Sequence, residues 1–304
     1  MKITNIHEAW GSVIEFDDPL EFFSYSKGYW RDMIYKRKLL IFKKMKFQLL
    51  DYAKFAHHFG RPWRYDEYHN SKEEPVEITE GDSKYAVTSF FSGLHNSNNQ
   101  IDIRRDMDLH ADIPNHKTHP FPFRALWIVK KPQNNSGSTY WLNIEDCFDK
   151  LNPELKALTK DINLVQQSWH RYNTEKRFLN FIKKHPVTGK ESLRLNFYAT
   201  PEVKNAWIIK VFIKLVEQKD CSLIQQYIDD LMQYEELYHQ HVWDLYDVAI
   251  YDNYSFVHGR TPVEFKNDEE NNERKFYRIN IDHMTNDEFQ NVELPPSTAT
   301  STIK

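Results

Sequence analysis

The chain carries a His-x-Asp element, His110-Ala111-Asp112, and a separate histidine far downstream, His258 in the run VHGR that ends at Arg260. In an extended strand, residues two apart project from the same face, so His110 and Asp112 can share one metal ion. A fold that adds His258 as the third ligand must bring together two segments separated by almost half the chain. Two imidazoles and one carboxylate on one side of an ion leave its other side open, an arrangement that suits a non-haem Fe(II) centre binding a co-substrate and O2.

With 14 His in 304 residues, about one His-x-Asp pair is expected by chance, and a half-exposed strand carrying both on its polar face has the same pattern. His258 is equally consistent with a satisfied core histidine, but Gly259 beside it lets backbone or a ligand approach closely. Arg274 and Arg278 lie four apart in ERKFYRINI and would share one face of a strand. They either form a salt bridge with an acidic neighbour on a solvated edge strand or offer a guanidinium fork, which holds both oxygens of a carboxylate at once. The other histidines fit a metal less well. His57 and His58 are adjacent on a helix and face different directions. His116 and His119 sit in the Pro-bearing run NHKTHPFPF and read as solvated loop residues, and His239 and His241 share a strand face without a third ligand nearby.

A net charge of -4 argues against general nucleic-acid binding, which needs an excess of Lys and Arg. The basic run Lys36, Arg37, Lys38, Lys43, Lys44 and Lys46 reads instead as solvated flanks of LLIF, a short buried strand. Cys147 and Cys221 are too few and too far apart for a disulfide framework or zinc knuckle, which fits a reducing cytosol. No apolar run approaches the roughly 20 residues needed to cross a bilayer, and the N-terminal run lacks the apolar core of a signal peptide. The expectation is a cytoplasmic protein without nucleic-acid or membrane partners, acting on a small molecule; the sequence leaves homo-oligomerisation open.

Asp17-Asp18-Pro19 predicts a helix start, and residues 39–42 predict a strand. A helix follows near 49–59, with Gly60 as its C-terminal cap. Residues 61–100 read as loops and edge strands. Further strands are predicted at 125–131, 138–144 and 247–253, and a short helix opens at Asn152-Pro153-Glu154 and runs through Leu158. Between residues 201 and 239, Leu223, Ile224, Tyr227, Ile228, Leu231 and Met232 fall on one helical face.

The segments RKLLIFKKMKFQLLDYAKFAHHFGRP (37–62), GSTYWLN (137–143), DVAIYDNYSFVHGR (247–260) and ERKFYRINI (273–281), in this order around His110-x-Asp112, resemble the taurine dioxygenase family of Fe(II)/2-oxoglutarate-dependent oxygenases over roughly residues 30–283. HPVTGKESLRLN (185–196) resembles a family segment that runs close to the active site, with no catalytic step assigned to it. The resemblance implies a mostly β fold with some α structure, a double-stranded β-helix (jelly roll) with flanking helices and a helical insertion at about 201–239. Composition shows no linker or internal repeat and reads as disordered only at the end, PPSTATSTIK (295–304), so the expectation is one oxygenase domain over residues 1–290 and a disordered tail over 291–304.

The resemblance also implies Fe(II), 2-oxoglutarate and O2 as cofactors and co-substrates, with His110, Asp112 and His258 as metal ligands and catalytic residues. Arg274 would bind the distal carboxylate of 2-oxoglutarate and Thr139 would add a hydroxyl hydrogen bond. Arg278 would sit nearer the metal, against the co-substrate or an acidic substrate. The expected reaction is hydroxylation or desaturation of a small polar, acidic or amino-acid-derived compound, releasing succinate and CO2. A carboxylate at position 112 disfavours halogenation, which needs that ligand position vacant. The alternatives are oxidative tailoring of a natural-product intermediate by the same chemistry, and a jelly-roll protein that holds metal without turnover.

Overall fold

Residues 39–42 are buried at all four positions because both faces of this strand are covered by other layers. The computed structural model describes residues 1–63, 75–80, 83–92, 107–111, 123–160, 163–167, 176–180, 182–193, 234–264 and 274–282. The strands are β1 (Lys2–Asn5), β2 (Ser12–Glu15), β3 (Leu39–Phe42), β4 (Arg61–Pro62), β5 (Pro75–Glu80), β6 (Ser83–Ser92), β7 (Met107–His110), β8 (Phe123–Lys130), β9 (Thr139–Asn143), β10 (Asn163–Gln167), β11 (Lys176–Asn180), β12 (Ile182–Lys184), β13 (Glu191–Leu193), β14 (Tyr238–His241), β15 (Val248–Asp252), β16 (Phe256–Arg260) and β17 (Arg274–Asp282). The helices are α1 (Lys27–Arg37), α2 (Leu49–His57), α3 (Ile144–Lys150) and α4 (Pro153–Lys160).

Among the described residues, one large sheet runs β1-β2-β3-β15-β8-β17-β6-β5, with β4 also on β17, and a smaller sheet runs β14-β9-β16-β7. Two separate hairpins pair β10 with β11 and β12 with β13. Alternation along the central strands separates two cores. Leu40, Phe42, Val248, Ile250, Phe123, Ala125, Ile279 and Ile281 pack beneath α1 and α2 with Trp30, Tyr52 and Phe55. Leu39, Ile41, Ala249, Tyr251, Ile128 and Phe276 turn the other way and meet Trp141 and Phe256 of the small sheet. This two-layer arrangement is the double-stranded β-helix.

Several local expectations change. Arg37 and Lys38 are buried rather than solvated. Arg37 donates to the Glu8 carbonyl at 2.7 Å and to Ser12 Oγ at 2.9 Å, tying α1 to the N-terminal hairpin. Lys38 ends α1 in the left-handed region and its ammonium lies 2.6 Å from buried Glu145. Gly60 is not a left-handed cap, since α2 ends at His57 and His58 is right-handed. A Cβ on Gly60 would lie 2.1 Å from the Asp282 carbonyl, so glycine is needed there for the close approach of β17.

The helix at Asp18 is a 3-10 turn, Pro19–Ser24, with Asp18 accepting from the Leu20 amide at 3.0 Å. β1, β2 and α1 had no counterpart in the sequence reading. The strand predicted over 138–144 stops at Asn143, whose side chain accepts from the Glu145 and Asp146 amides and starts α3. The insertion is described only from Tyr234, as a 3-10 turn leading into β14; residues 201–233, Cys221 and the tail from 283 lie outside the described residues.

Candidate active site

His258 on β16 stands opposite His110 on β7 in the sheet register. Both are buried, and their ring centres are 4.4 Å apart at an interplanar angle of 44°. Two imidazoles bound at right angles to one ion, at about 2.1 Å from each nitrogen, have ring centres about 4.5 Å apart. The donor set therefore fits a metal ion. Asp112 lies outside the described residues, as do His116 and His119. Among the described residues alone, no group of three His, Cys, Asp or Glu side chains is placed to hold a metal.

The turn between β15 and β16 fixes where His258 falls. Asp252 accepts from the Tyr254 amide at 2.9 Å and its carbonyl from the Ser255 amide at 3.0 Å, closing the turn. Its amide donates to the Lys38 carbonyl at 2.8 Å. Its second carboxylate oxygen lies 2.7 Å from His185 Nε2. Nδ1 of the same ring accepts from the Val187 and Thr188 amides, which sets the proton on Nε2. Ser255 donates to Glu145 at 2.6 Å, and Glu145 pairs with Lys38. The 185–196 segment thus reaches the site's support through His185.

From the large sheet, the Tyr251 hydroxyl lies 3.2 Å from His258 Nε2. Arg274 and Arg278 share one face of β17, with Phe276 between them, by their register on β6. Arg274 crosses to the small sheet, where Nη2 donates to Thr139 Oγ1 at 2.9 Å. Its guanidinium covers the Phe276 ring at 4.2 Å. Gly137, at φ +73°, leaves room beside it: a Cβ there would meet Val263 at 2.9 Å and the Arg274 side chain at 3.4 Å. Burial, and after it the nearby Arg260, hold the Arg274 pKa well below its usual value. Arginine keeps its proton in proteins, so the result is a poorly solvated positive charge that an anion would stabilise.

Sequence reasoning missed Trp243, whose Nε1 donates to Thr139 Oγ1 at 2.9 Å and whose ring packs edge-on against Phe276 at 4.8 Å. It lies beyond the β14 strand pattern, and nothing local marks it. Tyr251 and Arg260 were legible in principle: Tyr251 shares a strand face with Ala249, and Arg260 with His258. His239 shares its face with His241 and has His7 nearby, with ring centres 6.3 and 6.5 Å away. Burial, then His241 and His7, push its pKa down to about 4, so it is neutral at neutral pH.

A family model described as taurine catabolism dioxygenase TauD, TfdA family matches residues 2–280. No curated protein matches the chain by sequence. Among solved structures, PvcB from Pseudomonas aeruginosa superposes with a TM-score of 0.66 at 13% identity, covering 92% of this chain and 91% of that one. PvcB is described as an Fe, alpha-ketoglutarate-dependent oxygenase from an isonitrile synthetic pathway. AAD-2, solved with Mn(II) and N-oxalylglycine, gives 0.62 at 15% identity, covering 92% and 98%. A taurine dioxygenase from Burkholderia xenovorans gives 0.60 at 18%, covering 92% and 89%. These likenesses carry the fold, and the family match covers almost the whole chain. The chain belongs to the TauD/TfdA family of Fe(II)- and 2-oxoglutarate-dependent dioxygenases.

Proposed function

We propose that this dioxygenase hydroxylates or desaturates a small polar substrate, acidic or amino-acid-derived, with release of succinate and CO2. In this reading His110, Asp112 and His258 hold Fe(II), Arg274 and Thr139 hold the distal carboxylate of 2-oxoglutarate, and Arg278 faces the co-substrate or an acidic substrate. Residues 1–290 act as one domain. The observation that carries the reading is the Arg274–Thr139 contact at 2.9 Å, a cation and a hydroxyl brought from opposite sheets into buried space beside two opposed imidazoles.

With O2 and 2-oxoglutarate, the bound iron supplies oxidative decarboxylation and an oxidant able to take hydrogen from an unactivated carbon. The protein's residues bind and orient. A threonine oxygen accepts two hydrogen bonds and donates one. Both acceptor positions of Thr139 are used, by Arg274 and Trp243, so its proton is directed to the next acceptor, the co-substrate carboxylate. Arg274 supplies the charge-assisted fork. Trp243, Phe276, Trp141 and Tyr251 fill the space between the sheets and exclude competing water.

A screen for substrate-dependent succinate release tests the substrate class. Acidic or amino-acid-derived compounds should give succinate and oxidised product in equal amounts. Coupled turnover confined to neutral or cationic compounds would overturn it.

A further inference from the structure

We propose that Arg260 is a second cationic contact for the distal carboxylate of 2-oxoglutarate, acting beside Arg274 and Thr139. The inference rests on the co-substrate reading above and adds a residue to it. Arg260 stands opposite Thr139 in the β16–β9 register, and directly opposed residues of an antiparallel pair share a face. It also follows His258 by two residues, again on one face. Arg260 and Arg274 are both buried, at 4% exposure each. Arg274 reaches the Thr139 hydroxyl from the large sheet, and Arg260 stands across from Thr139 on the same face of the small sheet. Arg260 Nη1 donates to the Thr261 carbonyl at 3.0 Å, which ties one edge of its fork to the backbone.

The spacing along β16 matches the co-substrate. Two residues of strand advance about 6.7 Å, and the carbon chain of a five-carbon dicarboxylate is about 5 Å end to end. A dicarboxylate gripped in the row of His258 and Trp141 would therefore reach the row of Arg260 and Thr139 with its far end. Anchored by two guanidiniums and a hydroxyl, that end would discriminate strongly against a keto acid lacking the second carboxylate.

The test is anaerobic calorimetric titration of the Mn(II)-loaded protein with 2-oxoglutarate and with 2-oxobutyrate, which keeps the keto-acid end and lacks the distal carboxylate. Wild type should prefer 2-oxoglutarate strongly. Arg260→Gln should weaken 2-oxoglutarate by about tenfold or more and leave 2-oxobutyrate within about twofold, and Arg260→Lys should restore part of the loss. Equal weakening of both ligands, or of neither, overturns the assignment. If Arg260→Gln fails to fold, Arg260→Lys decides: a loss confined to 2-oxoglutarate supports the contact, and an unchanged ratio of the two affinities refutes it. Absence of any preference in the wild type would overturn the co-substrate reading itself, and is separable because it appears before any substitution.

Discussion

Thr139 joins groups that the sequence keeps far apart: Arg274 from β17, Trp243 from the loop after β14, and its own strand β9. Replacing it with valine keeps the shape and removes the hydroxyl, leaving a buried guanidinium edge and an indole N–H short of an acceptor. Thr139→Val should cost about 1–3 kcal/mol of stability and weaken 2-oxoglutarate on the order of tenfold, read by urea unfolding and by calorimetry. Unchanged co-substrate affinity would count against Thr139 as a contact. Cys147 is fully buried, and burial, followed by Asp146, drives its thiol pKa upward, so thiolate is scarce. In the native protein Cys147 should resist iodoacetamide and react once unfolded, as peptide mass spectrometry will show; rapid native labelling would contradict its burial.

His239 gives a pH dependence whose sign is fixed. Its folded pKa of about 4 lies below the unfolded value of about 6.5, so the unfolded chain binds more protons between the two. Its contribution is complete above about pH 6.5 and declines as pH falls toward 4, by about 3 kcal/mol at most. His239→Phe should lose less stability than wild type between pH 7 and 4.5 in urea melts; parallel losses would mean that His239 is not held neutral.

At the scale of elements, the turn between β15 and β16 decides where His258 and Arg260 point. Its supports are the Lys38 carbonyl, His185, and the Lys38–Glu145–Ser255 chain. Lys38→Met leaves Glu145 with an uncompensated buried charge and should cost about 3–5 kcal/mol, measured by urea unfolding. A loss under about 1 kcal/mol would show that this pair does not hold the turn. The turn-forming pair Asp252-Asn253 lies within the 247–260 segment that carries the resemblance, while nothing in the sequence marks the supports of the turn. Lys38 lies in a basic run that reads as solvent-facing, and its partner Glu145, from the first turn of α3, holds it inward. β3 itself was legible, because four consecutive apolar residues between charged flanks need cover on both faces. β1 and β2 were not, since β1 is exposed throughout and carries no apolar alternation.

For the whole molecule, the candidate site draws on both layers: His110 and His258 stand opposite each other on the small sheet, and Arg274 reaches from the large sheet to Thr139. The positions of β3, β8, β9 and β15 were readable from apolar runs and alternation. The assignment of β9 and β16 to one sheet and β8, β15 and β17 to the other was not, because long-range pairing leaves no mark in local pattern; the family resemblance supplied the double-stranded β-helix as a whole and not the strands of each sheet. Arg260 illustrates the limit at the site: its spacing from His258 was visible, while its place opposite Thr139 required the register.

The most direct measurement of the account is an anaerobic spectroscopic titration with Fe(II) followed by 2-oxoglutarate. The visible metal-to-ligand charge-transfer band of the chelate should appear in wild type only when both are present. It should be lost in His110→Ala and His258→Ala, whose circular dichroism stays native, and in Arg274→Ala it should require far more 2-oxoglutarate, with Fe(II) affinity little changed. A wild type without the band, or a full-strength band in His258→Ala at wild-type metal affinity, would contradict the claim that these residues form the iron and co-substrate site.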